Sequence, residues 1–249
     1  MELEAGAWLV TAFAVLITGI SKSGLGGALG GLAVPLMAIW ISPRDAVAVM
    51  LPILVLMDLV GMRAWRGKCS MPDLKQLVPA ALVGIAAGTM LFGMMSDQVL
   101  KGFVGLIAVA FAADRIIRRQ ARQAAEYPVS PGWARLAGAV SGLTSTLAHA
   151  GGPPVLAYLL GRGLPREVFV ASTVYFFAVI NAAKLPFYVG LGLFSKDTLL
   201  VSLFLAPLVP VGVWMGLRLL RHIPDRVFYA FAVTALGLSG VHLVVSAFW

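Results

Sequence analysis

One cysteine, Cys69, in 249 residues leaves no partner for an intrachain disulfide. Charge is scarce too: 12% of residues are Asp, Glu, Lys or Arg, about half the share of a soluble domain. Acidic residues are the rarer sign, 11 against 19 basic ones, and histidine occurs only three times. No Walker loop, HExxH, paired CxxC or GxSxG is present, so no motif of a soluble enzyme is found. The opening MELEAGAW lacks the basic stretch of a cleavable signal peptide, so the first apolar segment is expected to be retained.

Hydrocarbon takes the place of what is missing. Hydrophobic residues make up 60% of the chain and the mean hydropathy is +0.92, and runs such as 46–62 and 198–217 reach bilayer length. The composition is that of an all-α polytopic membrane protein whose first partner is the lipid bilayer. A net charge of +8 suits a nucleic-acid partner in principle, but the distribution of the cations excludes one. Arg63, Arg66, Lys68 and Lys75 share one loop, Arg115, Arg118, Arg119, Arg122 and Arg135 another, Arg162 and Arg166 a third, and Arg218, Arg221 and Arg226 a fourth. Basic residues gathered in alternate loops are the mark of cytoplasmic connections. Cys69 then lies in the cytoplasm, where a thiol stays reduced.

Ten apolar segments are predicted, near 6–20, 25–41, 45–62, 75–94, 98–114, 133–148, 151–161, 167–188, 198–218 and 226–247. An internal repeat orders them. SPRDAVA at 42–48 resembles LPREVFVA at 164–171, and Pro79, Gly84, Gly88, Asp97 and Phe103 answer Pro207, Gly212, Gly216, Asp225 and Phe231 at one offset of 128. The reading is two inverted repeats of about five segments, 1–114 and 133–249, joined by a basic cytoplasmic linker, 115–132. An odd number of segments per half inverts the second half, and both termini fall on the periplasmic side. Such halves bind their substrate between them near the bilayer midplane.

Each half opens with a stretch hostile to helix. Residues 151–161 supply only about 16 Å of helix, against roughly 30 Å of hydrocarbon, and Gly151, Gly152, Pro153 and Pro154 stand at their start. The first half has Gly26, Gly27, Gly30, Gly31 and Pro35 in the matching place. Each is read as a broken or re-entrant pair of half-helices whose free N–H groups and dipole ends suit an anion. Gly84, Gly88, Gly212 and Gly216, spaced by four, are read instead as helix-packing positions. Polar residues inside apolar segments mark a pathway by default. Lys22, Ser23, Gly30, Gly31, Ser145, His149, Gly151, Gly152, Asn181 and Lys184 are the candidate substrate-binding residues, and Asp58 and His149 the candidates for proton coupling. Asn181, Lys184 and Tyr188 share one helical face. An Asp58–Lys184 ion pair across the centre is one arrangement, and snorkelling of Lys22 and Lys184 to the interfaces is the rival one.

In SKSGLGGALGGLAVPLMA followed by SPRDA, and SGLTSTLAHAGGPPVLAYLL followed by LPREVF, the chain resembles the TauE/SafE family of sulfite exporters over nearly its whole length. The resemblance implies a bacterial inner-membrane carrier that moves sulfite, a sulfonate or a related organic acid, usually outward. His149 and Pro153 depart from the family's more usual run of glycines. The expectation is therefore a secondary transporter of a small anion working by alternating access, not an enzyme. It needs no cofactor, catalytic residue or metal; protons or Na+ are the candidate coupling ions and a homodimer the candidate assembly. A passive anion channel and a membrane-embedded enzyme are the alternatives.

Overall fold

The computed structural model describes residues 4–24, 30–120, 130–219 and 225–248. Every regular element among them is helical: α1 (Ala5–Gly24), the 3-10 turn η1 (Gly30–Leu32), α2 (Ala33–Met37), α3 (Pro43–Ala64), α4 (Met71–Met94), α5 (Asp97–Gln120), α6 (Pro131–Ala148), α7 (Gly152–Gly161), α8 (Arg166–Gly190), α9 (Lys196–Leu205), α10 (Leu208–Leu219) and α11 (Asp225–Phe248). Local chemistry sets their starts. Ser42 and Ser130 each cap a helix whose first residue is proline, accepting from the backbone N–H of Asp45 and Trp133. Ser195 and Thr198 form a reciprocal capping box at α9.

Four helices, α1, α3, α4 and α8, are long and apolar enough to cross a membrane, and a fifth span is formed if α9 and α10 count as one. That pair is bent by 46° at the break before Leu208. The expected single segment 198–218 is thus two helices, and the expected segment 25–41 contains η1 and the five-residue α2. Helix α5 runs on to Gln120, inside the stretch assigned to the linker; 121–129 lie outside the described residues, as do Gly26 and Gly27.

Packing is strongest between α4 and α6, α5 and α11, and α1 and α10. Glycine makes the first and third seams close. A Cβ on Gly84 or Gly142 would stand inside the van der Waals envelope of a carbonyl oxygen on the facing helix, Ala139 and Ala81 respectively. Gly216 lies as close on α1, against Ser23 and the Ile20 carbonyl, and Gly212 lies less tightly against Leu16 and Gly19, so the packing role read for these positions is what they perform. Helix α3 runs through the centre, with Val47, Met50, Leu51 and Ile53 fully buried. Gly61 on α3 meets Val174 on α8, and Asp58 meets Asn181, so the two helices run antiparallel. At one end α4 is tied to α7: Asp73 accepts from Tyr158 Oη at 2.7 Å, Arg162 Nε at 2.9 Å and Ser70 Oγ at 2.6 Å. Leu9, Met90, Met94, Val189, Leu203, Phe204 and Trp214 are exposed on the outside, the surface a bilayer solvates.

Candidate functional site

The two interruptions touch. Helix α6 stops at Ala148 because His149 adopts a left-handed conformation, φ 50° and ψ 27°. That turn sends the His149 N–H back to Ser145 O at 3.0 Å and the Ala150 N–H to Thr144 O at 3.2 Å, closing the last turn of the helix. Three residues later α7 begins at Gly152. From the other half Gly31 packs on Ala150, where an added Cβ would come within 3.0 Å. Pro153 and Pro154 do not break a helix here; they occupy the first turn of α7, where a missing N–H costs little. They also remove two donors from that terminus, so backbone N–H groups supply less of the site than the glycines alone suggest.

Side chains from four helices complete it. Lys22, near the end of α1, forms an ion pair with Asp58 of α3. The other carboxylate oxygen accepts from Asn181 Nδ2 at 2.6 Å. Lys184, one turn beyond Asn181 on α8, is 0% exposed. Its Nζ donates to Ser145 O at 3.1 Å, Ser145 Oγ at 2.9 Å and His149 Nδ1 at 2.8 Å. The other ring nitrogen, Nε2, lies 3.0 Å from the Val47 carbonyl, an acceptor only, so Nε2 carries the hydrogen and Nδ1 accepts. These partners assign a neutral His149 and occupy all three hydrogen-bond positions of the Lys184 nitrogen. The ammonium also sits at the carbonyl end of α6, where a positive charge is favoured. Tyr188 Oη donates to Thr146 O at 2.7 Å, and Ser141 Oγ to Gly151 O at 2.6 Å.

The sequence-derived ion pair between Asp58 and Lys184 is therefore corrected. Asp58 belongs to Lys22 and Asn181, and Lys184 belongs to Ser145 and His149. Neither lysine snorkels: each finds an acceptor inside the protein, which spares its ammonium the route to water. Between the two clusters lies a narrow hollow of about 20 Å³ lined by Lys22, Gly30, Leu54, Ser145, His149, Gly152, Phe177 and Asn181. Six of these were among the candidates. Gly31 and Gly151 pack behind it, and Lys184 supports His149 from outside the lining. Ser23 is not brought to it: its hydroxyl donates to Gly19 O at 2.9 Å and stands against Gly216.

A family model described as sulfite exporter TauE/SafE matches residues 11–243, a span that contains every residue of the hollow. The chain belongs to the TauE/SafE family. It is accordingly a multi-pass membrane protein of a transporter family of the sulfite or anion type. Neither a curated protein nor a solved structure matches the chain.

Within this TauE/SafE chain, Leu54 and Phe177 are the lining residues that polarity alone does not reveal. Helical spacing could have found both, since Leu54 precedes Asp58, and Phe177 precedes Asn181, by four residues. Phe177 also offers its ring to Lys22, whose Nζ lies 5.7 Å from the centroid, within reach of a cation–π attraction. A wider, open recess of about 610 Å³, which shares no lining residue with the hollow, is lined by Leu59, Met62, Arg63, Arg66 and Tyr175. It begins one residue past Asp58 on α3 and two residues before Phe177 on α8.

Proposed function

We propose that the chain is a secondary carrier that exports a small anion, such as sulfite, a sulfonate or a related organic acid, by alternating access between two inverted halves. The charge count of the site carries this reading. A largely buried lysine, Lys22, and a fully buried one, Lys184, stand against one carboxylate, Asp58, with His149 held neutral between Lys184 and the Val47 carbonyl. An uncompensated positive charge in a water-poor interior is costly. Such an excess attracts a guest bearing one negative charge. The apolar side of the hollow, Leu54 and Phe177, is where the non-ionic part of an organic anion would lie once the hollow, now about the size of one water, widens.

The packing supports inverted halves. With α1 to α5 set against α6, α7, α8, α9–α10 and α11, the α4–α6 seam has its counterpart in α1–α10. The α5–α11 and α3–α8 contacts join counterpart helices to each other. The basic loops are assigned to the cytoplasm of a bacterial inner membrane. The recess with Arg63 and Arg66 then opens inward, and its arginines raise the local concentration of anions. On this reading the present conformation faces the cytoplasm.

The test is made on the full-length protein in detergent and in proteoliposomes. Sulfite and methanesulfonate are expected to raise the melting temperature and to leave preloaded vesicles only when the protein is present. Stabilisation by cations alone, or by no anion, would overturn the reading. Accumulation against a concentration gradient under an imposed pH difference separates a carrier from a pore, which can only dissipate.

A further inference from the structure

The geometry around Lys22 goes further than a charge count, and it rests on the anion-carrier reading above. Lys184 has no position to spare, since its nitrogen is already held by Ser145 O, Ser145 Oγ and His149 Nδ1. Lys22 is the ammonium that lines the hollow, and Asp58 already holds it. The Asp58 carboxylate, gripped by an ammonium on one oxygen and a carboxamide on the other, has the recognition pattern a carboxylate or sulfonate guest would need. We infer that Asp58 is a resident stand-in for the transported anion, and that the guest takes its place on Lys22 and Asn181 as Asp58 takes up one proton.

The proton follows from electrostatics. A guest drawn to Lys22 and Asn181 shares one ammonium with Asp58, and two like charges at that distance in low dielectric do not both remain ionised. The aspartate gains the proton, because a sulfonate guest is a far weaker base. Lys22 faces Asp58 from α1, Asn181 and Lys184 come from α8 and His149 from α6. Helix α9 meets α3 two turns away, through Ser202 and the Val49 carbonyl. His149 is a poor proton acceptor in this state, because a second ring proton would point Nδ1–H at the Lys184 ammonium. It is a positioning residue for Lys184. Before binding the site holds Lys22 and Lys184 as cations and Asp58 as an anion; afterwards it holds the same two cations, a neutral Asp58 and the guest. The buried charge is unchanged, so one anion and one proton move together from the same aqueous side, and export on this scheme runs down the anion's own outward gradient.

Methanesulfonate is the probe, because it stays a monoanion from mildly acid to mildly alkaline buffer. Calorimetric titration of the wild-type protein in two buffers of different ionisation enthalpy is expected to show uptake of about one proton per anion bound. Affinity is expected to fall about tenfold per pH unit on the alkaline side. In the Asp58→Asn variant binding persists without proton uptake, and an imposed pH gradient no longer drives accumulation. Binding by the wild-type protein with no proton uptake overturns the exchange while leaving the anion reading intact. Accumulation driven by the pH gradient in Asp58→Asn does the same. Absence of any methanesulfonate or sulfite binding overturns both. The calorimetric result needs no variant, so it decides the matter even if Asp58→Asn fails to fold.

Discussion

His149 does two jobs through two parts of the same residue. Its backbone turns left-handed and ends α6, a conformation that costs most L-residues about 1–2 kcal/mol and that asparagine tolerates better than alanine. Its ring bridges the Val47 carbonyl and the Lys184 ammonium. Substitution separates the two. His149→Asn is expected to keep the melting temperature near that of the parent while slowing anion flux about tenfold or more, the worth of a hydrogen bond to a charged group. His149→Ala should lose flux to a similar degree and lower the melting temperature as well. Full flux in both variants removes the ring from the site. Much of this cluster is legible in the sequence, because a lysine, an aspartate or a histidine in an apolar segment stands out by cost alone. Which partner each group takes is not legible: Asp58 lies within plausible reach of either lysine until the crossing of α1, α3 and α8 is known. Leu54 and Phe177 are marked only by their spacing, one turn before Asp58 and Asn181.

At the scale of helices, the α4–α6 seam is the feature most sensitive to a single atom. Gly84 and Gly142 face carbonyl oxygens of the partner helix with no room for a Cβ. Gly84→Ala and Gly142→Ala are each expected to destabilise the protein by about 1–3 kcal/mol through overpacking, read as a fall in thermal unfolding in detergent. Gly190, whose added Cβ meets nothing within 4 Å, is the control, and its alanine variant should stay within about 0.5 kcal/mol of the parent. A control as unstable as the seam variants would mean that the seam is not what the measurement senses. The spacing of four was enough to assign Gly84 to packing, together with Gly88, Gly212 and Gly216; Gly142 was not singled out. The bend between α9 and α10 was not legible in the same way. Pro207 stands at that break while its counterpart Pro79 lies inside an unbroken α4. Either proline removes one backbone hydrogen bond, and the surrounding contacts decide whether the helix continues.

Across the whole molecule, orientation is checked with the native sequence. Cys69 is the single cysteine and is half-buried beside Met71. A membrane-impermeant maleimide is expected to label it in inside-out vesicles and not in right-side-out ones. The reverse pattern would place the basic loops outside and turn the proposed inward-facing recess outward. The helical class was legible because a bilayer demands both length and hydropathy. The short elements η1 and α2 were not, since a three-residue turn and a five-residue helix leave no periodicity to read.

The exchange of partners between the halves has a consequence for synthesis. The groove of α4 is filled by α6, and the flank of α1 by α10. A nascent chain that has delivered only its first five helices therefore holds two glycine-lined troughs with nothing to close them. Those helices must wait in lipid, inserted but unlatched, until ribosomal elongation supplies the complementary ridges. Both troughs are closed only once α10 has been made, and truncation after the linker would leave an incomplete assembly rather than a smaller functional unit.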